Sequence, residues 1–525
     1  MNSSLIHRSK SMAELLVSTL NRGGDRPLLQ IVDGPCLTVD QIRDETSQFC
    51  QALASLGVKA GTRVGLVSPN KPEVLHVSHA VQLLAAVYVP MHPLSSLEDH
   101  LFVLQDSGVE LLVFDAVSYG PRAQEIAAAL PQLRMISFGD TSFSEDICRL
   151  SLGFTPMPLV APAVTPTTIM RLGYTGGTTG KPKAIASTQR AGLATLQIML
   201  TDWEWPSTPH ILSCTPLSHA GSALILPTLL KGGSIMALPR FDAGRVMQLI
   251  QEYQINCIML VPTMIYAILD HPHFDQYDLS SLETVFYGAS AISPIRLQEA
   301  IERIGPVFSQ FYGQAEAPMV ITTLRKGDHD SNDLNRLASC GLPSPWLDVE
   351  LLDEQGRPVA DGEPGEICVR GPIVIDGYRD NPQQTADAFR HDWLHTGDVA
   401  VRDPGGYLRI IDRTKDMIVT GGFNVYPRAI EDVISEHEAV AQVAVFGVPH
   451  AKWGEAVTAS IVLKPGLTAD GNDIAALVAN RKGAFQAPKV IEFIDSIPQT
   501  AVGKPDKKAL RARHIEIQNR QQQTV

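Results

Sequence analysis

The sequence predicts an α/β protein whose texture changes twice along the chain. As far as about residue 310, short apolar runs alternate with amphipathic stretches, the pattern of a parallel sheet with helices on both faces. From about Leu347 the runs become short and alternating with tight turns between them, which is antiparallel or barrel-like material. A second break falls near Asp412, beyond which the segments are shorter and more charged. A chain of 525 residues exceeds one core, so at least two domains are expected.

In order, Ser11–Leu20 reads as a helix and Pro27–Val32 as a strand. Asp33-Gly34-Pro35 supplies a turn into a second helix, Val39–Leu56. Arg63–Ser68 is a short buried strand, Pro72 opens a helix, and Ala86–Pro90 is a strand. A helix over Leu97–Gly108 leads to the apolar run Glu110–Phe114. Pro-rich Thr155–Pro166 reads as an exposed linker. The alternation then resumes: strands at Ile211–Cys214, Ser234–Leu238, Cys257–Val261, Thr284–Tyr287 and Val307–Gln310, with helices at Ala220–Leu230 and Ala243–Tyr253. Val349–Leu352, the turn Glu354-Gln355-Gly356 and Gly365–Val369 open the antiparallel part.

Composition narrows the function. Apolar residues make up 44% and charged residues 19%, as in a soluble globular protein. A net charge of −13 argues against a general nucleic-acid or anionic-membrane surface. The seven cysteines are scattered without a CxxC pair, which points to reduced thiols in a cytoplasmic protein and away from a zinc site or disulfide frame. Glu14 interrupts the N-terminal apolar residues, so no signal peptide is expected. The run Val81–Met91 is too short for a transmembrane segment.

The richest stretch is Tyr174-Thr175-Gly176-Gly177-Thr178-Thr179-Gly180-Lys181-Pro182-Lys183. Glycines expose backbone N–H groups, threonines add donors and lysines add charge: a cradle for polyphosphate. It is not a Walker A loop, because Gly176 and Gly180 enclose three residues and Pro182 follows Lys181. Further motifs follow in order: Pro216-Leu217-Ser218-His219-Ala220-Gly221, Tyr287-Gly288-Ala289-Ser290 and Tyr312-Gly313-Gln314-Ala315-Glu316. His395-Thr396-Gly397-Asp398, Asp412-Arg413-Thr414-Lys415 with Gly421-Gly422, and Thr500-Ala501-Val502-Gly503-Lys504 complete the set. Each alone fits a bland loop or core residue. Together, across more than 300 residues, they do not.

In that order the motifs resemble the adenylate-forming superfamily of acyl-CoA synthetases, peptide-synthetase adenylation domains and firefly luciferase. The resemblance implies a large N-terminal domain (1–412) of two αβ subdomains plus a small β-barrel, then a small mobile C-terminal domain (413–525). It implies ATP, Mg²⁺ and coenzyme A, with a carboxylate attacking the α-phosphate and a thiol then displacing AMP. Thr175 to Lys183 would wrap the phosphates, including Gly176, Gly177, Thr178, Thr179, Gly180 and Lys181. Glu316 would hold Mg²⁺, a hard cation that prefers oxygen. Tyr312 would stack on adenine beside Gly288, Ala289 and Ser290, with Gly313, Gln314 and Ala315 completing that wall. Asp398 and Arg413 would hold the ribose. Lys504 would neutralise charge developing during adenylation. Lys415 stands at the expected hinge, while Gly421, Gly422 and Trp453 mark a CoA path. The family's usual threonine is Ala315 here.

No aspartate near His219 is available to hold an α-amine, so simple amino acids are not the expected substrates. An apolar acyl pocket is expected between His219, Ala220, Val261, Pro262, Tyr287, Gly288, Ala289 and Gln314. With nothing basic among these, dicarboxylates are expected to be poor substrates. Delivery to an acyl carrier protein stays open beside CoA, as does a homodimeric assembly.

Overall fold

The computed structural model describes residues 9–175, 183–413, 417–420, 423–450, 453–500 and 504–523. Local chemistry sets the element ends. Ser11 and Glu14 close a capping box on Met12–Leu20, and Thr38 and Gln41 do the same for Val39–Ser55. Gly108, at φ 61°, stops the helix Leu97–Ser107.

Four sheets follow. The first orders its strands Glu145–Asp146, Arg134–Phe138, Leu111–Asp115, Arg63–Val67, Val87–Pro90, Ile169–Thr175 and Lys183–Thr188. All pairs are parallel except the last, the hairpin that flanks the glycine loop. The second sheet runs Leu342–Pro343, Ala317–Leu324, Phe308–Gln314, Thr284–Tyr287, Cys257–Leu260, His210–Ser213, Ser234–Ala237, Pro27–Ile31 and Cys36–Thr38. Its inner strands are parallel and its two ends antiparallel. The third sheet is antiparallel: Asp348–Leu352, Gly365–Arg370, Trp393–Arg402, Phe389–Arg390 and Leu408–Arg413. The fourth joins Ile418–Thr420, Phe423–Val425, Val440–His450, Gly454–Leu463 and Val490–Phe493. Its core is Ile430, Ile434, Val445, Val457, Ile461 and Ile474. The whole is α/β with a small barrel-like sheet and a smaller α+β part.

Three differences from the sequence reading have physical causes. Pro27–Ile31 pairs with Ser234–Ala237 of the second sheet, so the two αβ halves interleave. Their shared core runs from Leu28 and Val64 through Val77 to Leu229 and Ile235. The expected helix Ala220–Leu230 is a 3₁₀ turn, Ala220–Leu224, followed by the helix Ile225–Leu230. Gly221 packs there with room for no more, since an added Cβ would meet three oxygens at 3.0 Å. The Pro-rich stretch has no regular structure and is largely exposed, yet it is pinned to the second helix. Ser47 Oγ donates to the Met157 carbonyl, and Gln51 Nε2 to that of Thr155, both at 2.8 Å.

Candidate active site

The second sheet reverses its winding between His210–Ser213 and Cys257–Leu260, and open α/β sheets hold ligands beyond the carboxyl ends of strands at such a switch. Leading out of neighbouring strand ends are Pro216–Gly221, Val261-Pro262 and Gly288–Ser290. The expected acyl residues therefore converge by topology, although they come from segments far apart in sequence.

Gly288 has a reason to be glycine other than pocket width. An added Cβ would lie 2.4 Å from the Phe311 carbonyl oxygen on the next strand. Ala289 follows in the left-handed region at φ 69° and is exposed, with Ser290 half-buried. Gly313 is equally constrained, since its Cβ would meet the Met319 nitrogen at 2.2 Å. Tyr287 is fully buried in the second sheet's core, its hydroxyl between Gln310 Oε1 (3.2 Å) and His329 Nε2 (2.9 Å). It therefore supports the site from within instead of bordering open space. Val261 and Gln314 are half-buried, and Ala220 and Ala315 are exposed.

On the nucleotide side, the Tyr312 hydroxyl donates to Asp398 Oδ2 at 2.6 Å. Burial, then the Asp398 charge, pushes that phenol well above its ordinary range. Asp398 is buried at 3% exposure and pairs in register with Arg413 across antiparallel strands. Thr396 Oγ1 accepts from the Asp398 amide at 3.1 Å and donates to the Ile367 carbonyl at 2.8 Å. Sequence reasoning missed Glu366. Its Oε1 accepts from the Gly397 amide at 2.8 Å and its Oε2 is 2.7 Å from His395 Nδ1, so one carboxylate shapes the turn that aims Asp398.

Glu316 is buried at 8% exposure, and its Oε1 accepts from the Tyr378 hydroxyl at 2.7 Å. Lys183 Nζ lies 4.6 Å from the centre of the Tyr378 ring. Tyr378, also missed, thus ties the expected metal carboxylate to the end of the glycine loop. Burial first and Glu316 second hold its phenol protonated. A buried carboxylate fixed by one hydrogen bond is a fitting ligand for Mg²⁺.

Asn70 binds the two subdomains at the base of the site. Its Nδ2 donates to the carbonyls of Thr215 (3.1 Å) and Leu238 (3.0 Å), and its Oδ1 accepts from the Leu217 amide at 2.7 Å. That clamp positions His219, whose Nδ1 is 2.9 Å from Ser218 Oγ and whose ring meets His92 edge-on at 4.8 Å. Burial, the Arg171 charge and His92 hold His219 neutral, well below the usual imidazole range. Arg171 is a third residue that sequence reasoning passed over, as a member of the apolar run before the glycine loop.

In the C-terminal part, Lys504 is half-buried in a turn closed by Thr500, whose amide donates to the Lys504 carbonyl at 2.7 Å. Trp453 stacks on His450 at 4.3 Å. Arg428 of the helix Pro427–Ser435 donates to the Ile292 carbonyl, near the loop that carries Ala289 and Ser290. Gly176, Gly177, Thr178, Thr179, Gly180, Lys181, Lys415, Gly421 and Gly422 lie outside the described residues, as do the side chains of Thr175 and Arg413.

A tyrosine hydrogen-bonded to a buried aspartate, a second buried carboxylate held by Tyr378 and the hairpin that flanks the glycine loop are what a nucleotide-dependent ligase of the adenylate-forming kind would carry. The chain belongs to the AMP-binding enzyme family, whose model matches residues 18–379, with the family's C-terminal domain over 429–504. It is 49% identical over 516 residues to the medium/long-chain-fatty-acid–CoA ligase FadD8 of Mycobacterium tuberculosis (strain ATCC 25618 / H37Rv), covering 96% of this chain and 90% of that one. A 3-[(3aS,4S,7aS)-7a-methyl-1,5-dioxo-octahydro-1H-inden-4-yl]propanoyl:CoA ligase of Rhodococcus jostii (strain RHA1) is 32% identical, over 92% of this chain and 95% of that one. Among solved structures, anthranilate CoA ligase AuaEII with anthranoyl-AMP superposes with a TM-score of 0.89 at 25% identity, over 98% and 99% of the two chains. The protein is an ATP-dependent, AMP-forming acyl-CoA synthetase that uses Mg²⁺ and coenzyme A. Among the described residues no helix is long and apolar enough to cross a membrane.

Proposed function

We propose that the substrate is an acid with a largely apolar body, fatty or alicyclic, and that CoA is the acceptor. The observation that carries this is the neutral His219 at the clamped loop beyond the switch point, with half-buried Val261 just past the neighbouring strand end and half-buried Gln314 at the end of another strand of the same sheet. Such a wall suits an uncharged acyl body. In the first step a carboxylate oxygen attacks the α-phosphorus and the bond to pyrophosphate breaks. In the second the CoA thiolate attacks the acyl carbon and AMP leaves. Both steps rest on positioning and charge stabilisation, since the carboxylate needs no base. Mg²⁺ supplies charge neutralisation at the phosphates. Tyr312, Asp398 and Arg413 hold the nucleoside, Glu316 and the Thr175–Lys183 loop the phosphates, and Lys504 the developing charge. Residues 1–412 act as the fixed part and 413–525 as the mobile part, in a cytoplasmic enzyme. Pyrophosphate release and thioester formation with a panel of carboxylates, with CoA or phosphopantetheinylated carrier protein, test the reading. CoA-dependent turnover of medium or long acids is expected. Turnover with carrier protein alone would overturn the acceptor assignment.

A further inference from the structure

Arg171 carries a charge that the adenylation chemistry above leaves unused. It pairs in register with Tyr88 on one side of its strand and with Ser187 on the other. Strand alternation puts Leu172 and Tyr174 into the core beneath the first sheet's helices, with Val87, Val89 and Phe114. Arg171 and Gly173 share the opposite face, and so does Tyr88, which packs in the core between the subdomains. That face has space in front of it: a Cβ added at Gly173 would meet no atom within 4 Å. The Arg171 charge reaches His219, where it helps keep the imidazole neutral.

A hydroxyl without a partner and a cation share this face. The Tyr88 hydroxyl is buried without a hydrogen bond, in a residue only 9% exposed. Arg171, its neighbour in register, is half-buried, and burial lowers its guanidinium. A ligand oxygen would relieve both groups at once. Arg171 also precedes Thr175 by four strand residues, about 13 Å along the chain, so it sits away from the phosphates.

We propose that Arg171 and Tyr88 form an oxygen-recognising subsite opposite His219, taking a carbonyl or carboxylate oxygen on the body of the acid, remote from the carboxyl group being activated. This rests on the acyl-CoA ligase reading and widens its substrate class from apolar bodies to oxo acids and dicarboxylic acids. It reverses the expectation that dicarboxylates are poor substrates, because the basic residue comes from the strand before the glycine loop.

The test is pyrophosphate release without CoA, for matched acids of 6 to 12 carbons: the plain acid, its ω-oxo form and its ω-carboxy form. Wild type should favour an oxygenated member of at least one pair. Arg171→Met should reduce that preference tenfold or more while changing kcat/KM for the plain acid less than about threefold, and Arg171→Lys should restore part of it. Tyr88→Phe, which only removes the orphan hydroxyl, should reduce the preference in the same direction, and melting curves establish that each variant folds. Equal losses across each pair overturn the subsite alone. So does an unchanged preference in this assay with a raised KM for CoA in a parallel thioester assay, which would assign the oxygen to the pantetheine amides. No pyrophosphate with any acid overturns the ligase reading and the subsite with it.

Discussion

The Tyr312 hydroxyl stands 2.6 Å from Asp398 Oδ2, joining the residue expected under adenine to the one expected at the ribose. The bond fixes the ring's rotation and supplies a donor to a buried carboxylate. Tyr312→Phe keeps the stacking surface and removes the tether. A hydrogen bond to a charged group contributes about 1.5–3 kcal/mol, so KM for ATP should rise about 10- to 100-fold. Asp398→Ala should in addition erase discrimination between ATP and 2′-deoxy-ATP. Full discrimination in that variant would move the ribose contact elsewhere.

Glu316→Gln should weaken Mg·ATP use far more than thioester formation from synthetic acyl-AMP, because an amide is a poor ligand for a hard cation. Tyr378→Phe should raise the magnesium requirement more mildly, since only the bond that holds Glu316 is lost. Magnesium titrations of pyrophosphate release measure both. An unchanged requirement in Glu316→Gln would place the metal at another residue.

At Gly288 the close approach of the Phe311 carbonyl decides the outcome. A larger side chain such as that of Gly288→Leu would meet this carbonyl before it reached the acyl chain. Even Gly288→Ala forces a backbone shift, with a cost of about 1–3 kcal/mol. Profiles of kcat/KM against chain length for that variant should fall together at every length, with a lowered melting temperature. A selective loss for long acids would show that the backbone gives way and the methyl group enters the pocket.

Lys504→Ala should abolish acyl-AMP formation and largely spare thioester formation from synthetic acyl-AMP. Losing one preorganised charge contact lowers rate by about 10²–10³. Single-turnover assays of the two half-reactions separate them. Equal loss in both would remove Lys504 from the adenylation step.

Acid should loosen the C-terminal part through Glu431. Burial opposes its charge, but Lys507 Nζ at 2.7 Å and the Val445 amide at 2.8 Å prevail and lower the carboxyl below its ordinary value. A depressed folded value means stability that is present above the unfolded carboxyl's ordinary value of 4.5 and lost as pH falls below it. Glu431→Gln should flatten the melting temperature of this part between about pH 5 and pH 3. A slope as steep as wild type's would assign the acid sensitivity to other groups.

Much of the fold was legible because each parallel strand is a short apolar run whose burial dictates its composition. Arg63–Val67 and Leu111–Asp115 stand within a residue or two of their predicted bounds. Strand order was not legible, since nothing local in Pro27–Ile31 says that its partner begins at Ser234. In the site, glycines and motif carboxylates stood out through composition. Glu366, Tyr378 and Arg171 did not, because each acts through a neighbour brought near only by folding. Gly288 was visible as a small residue, but the carbonyl that requires it belongs to another strand.

Asn70 has a consequence for anyone who would exchange substrate pockets between relatives of this enzyme. Its amide spends both donor and acceptor on the segment 215–217 and on Leu238, across the seam between two sheets. The 215–221 segment is therefore not a detachable cassette. A graft of the segment around His219 inherits the curvature of whichever host residue occupies position 70, and fails in a host that lacks the amide. Recombination breakpoints placed so that Asn70 and the 215–221 segment travel together should yield far more active chimeras than breakpoints that part them.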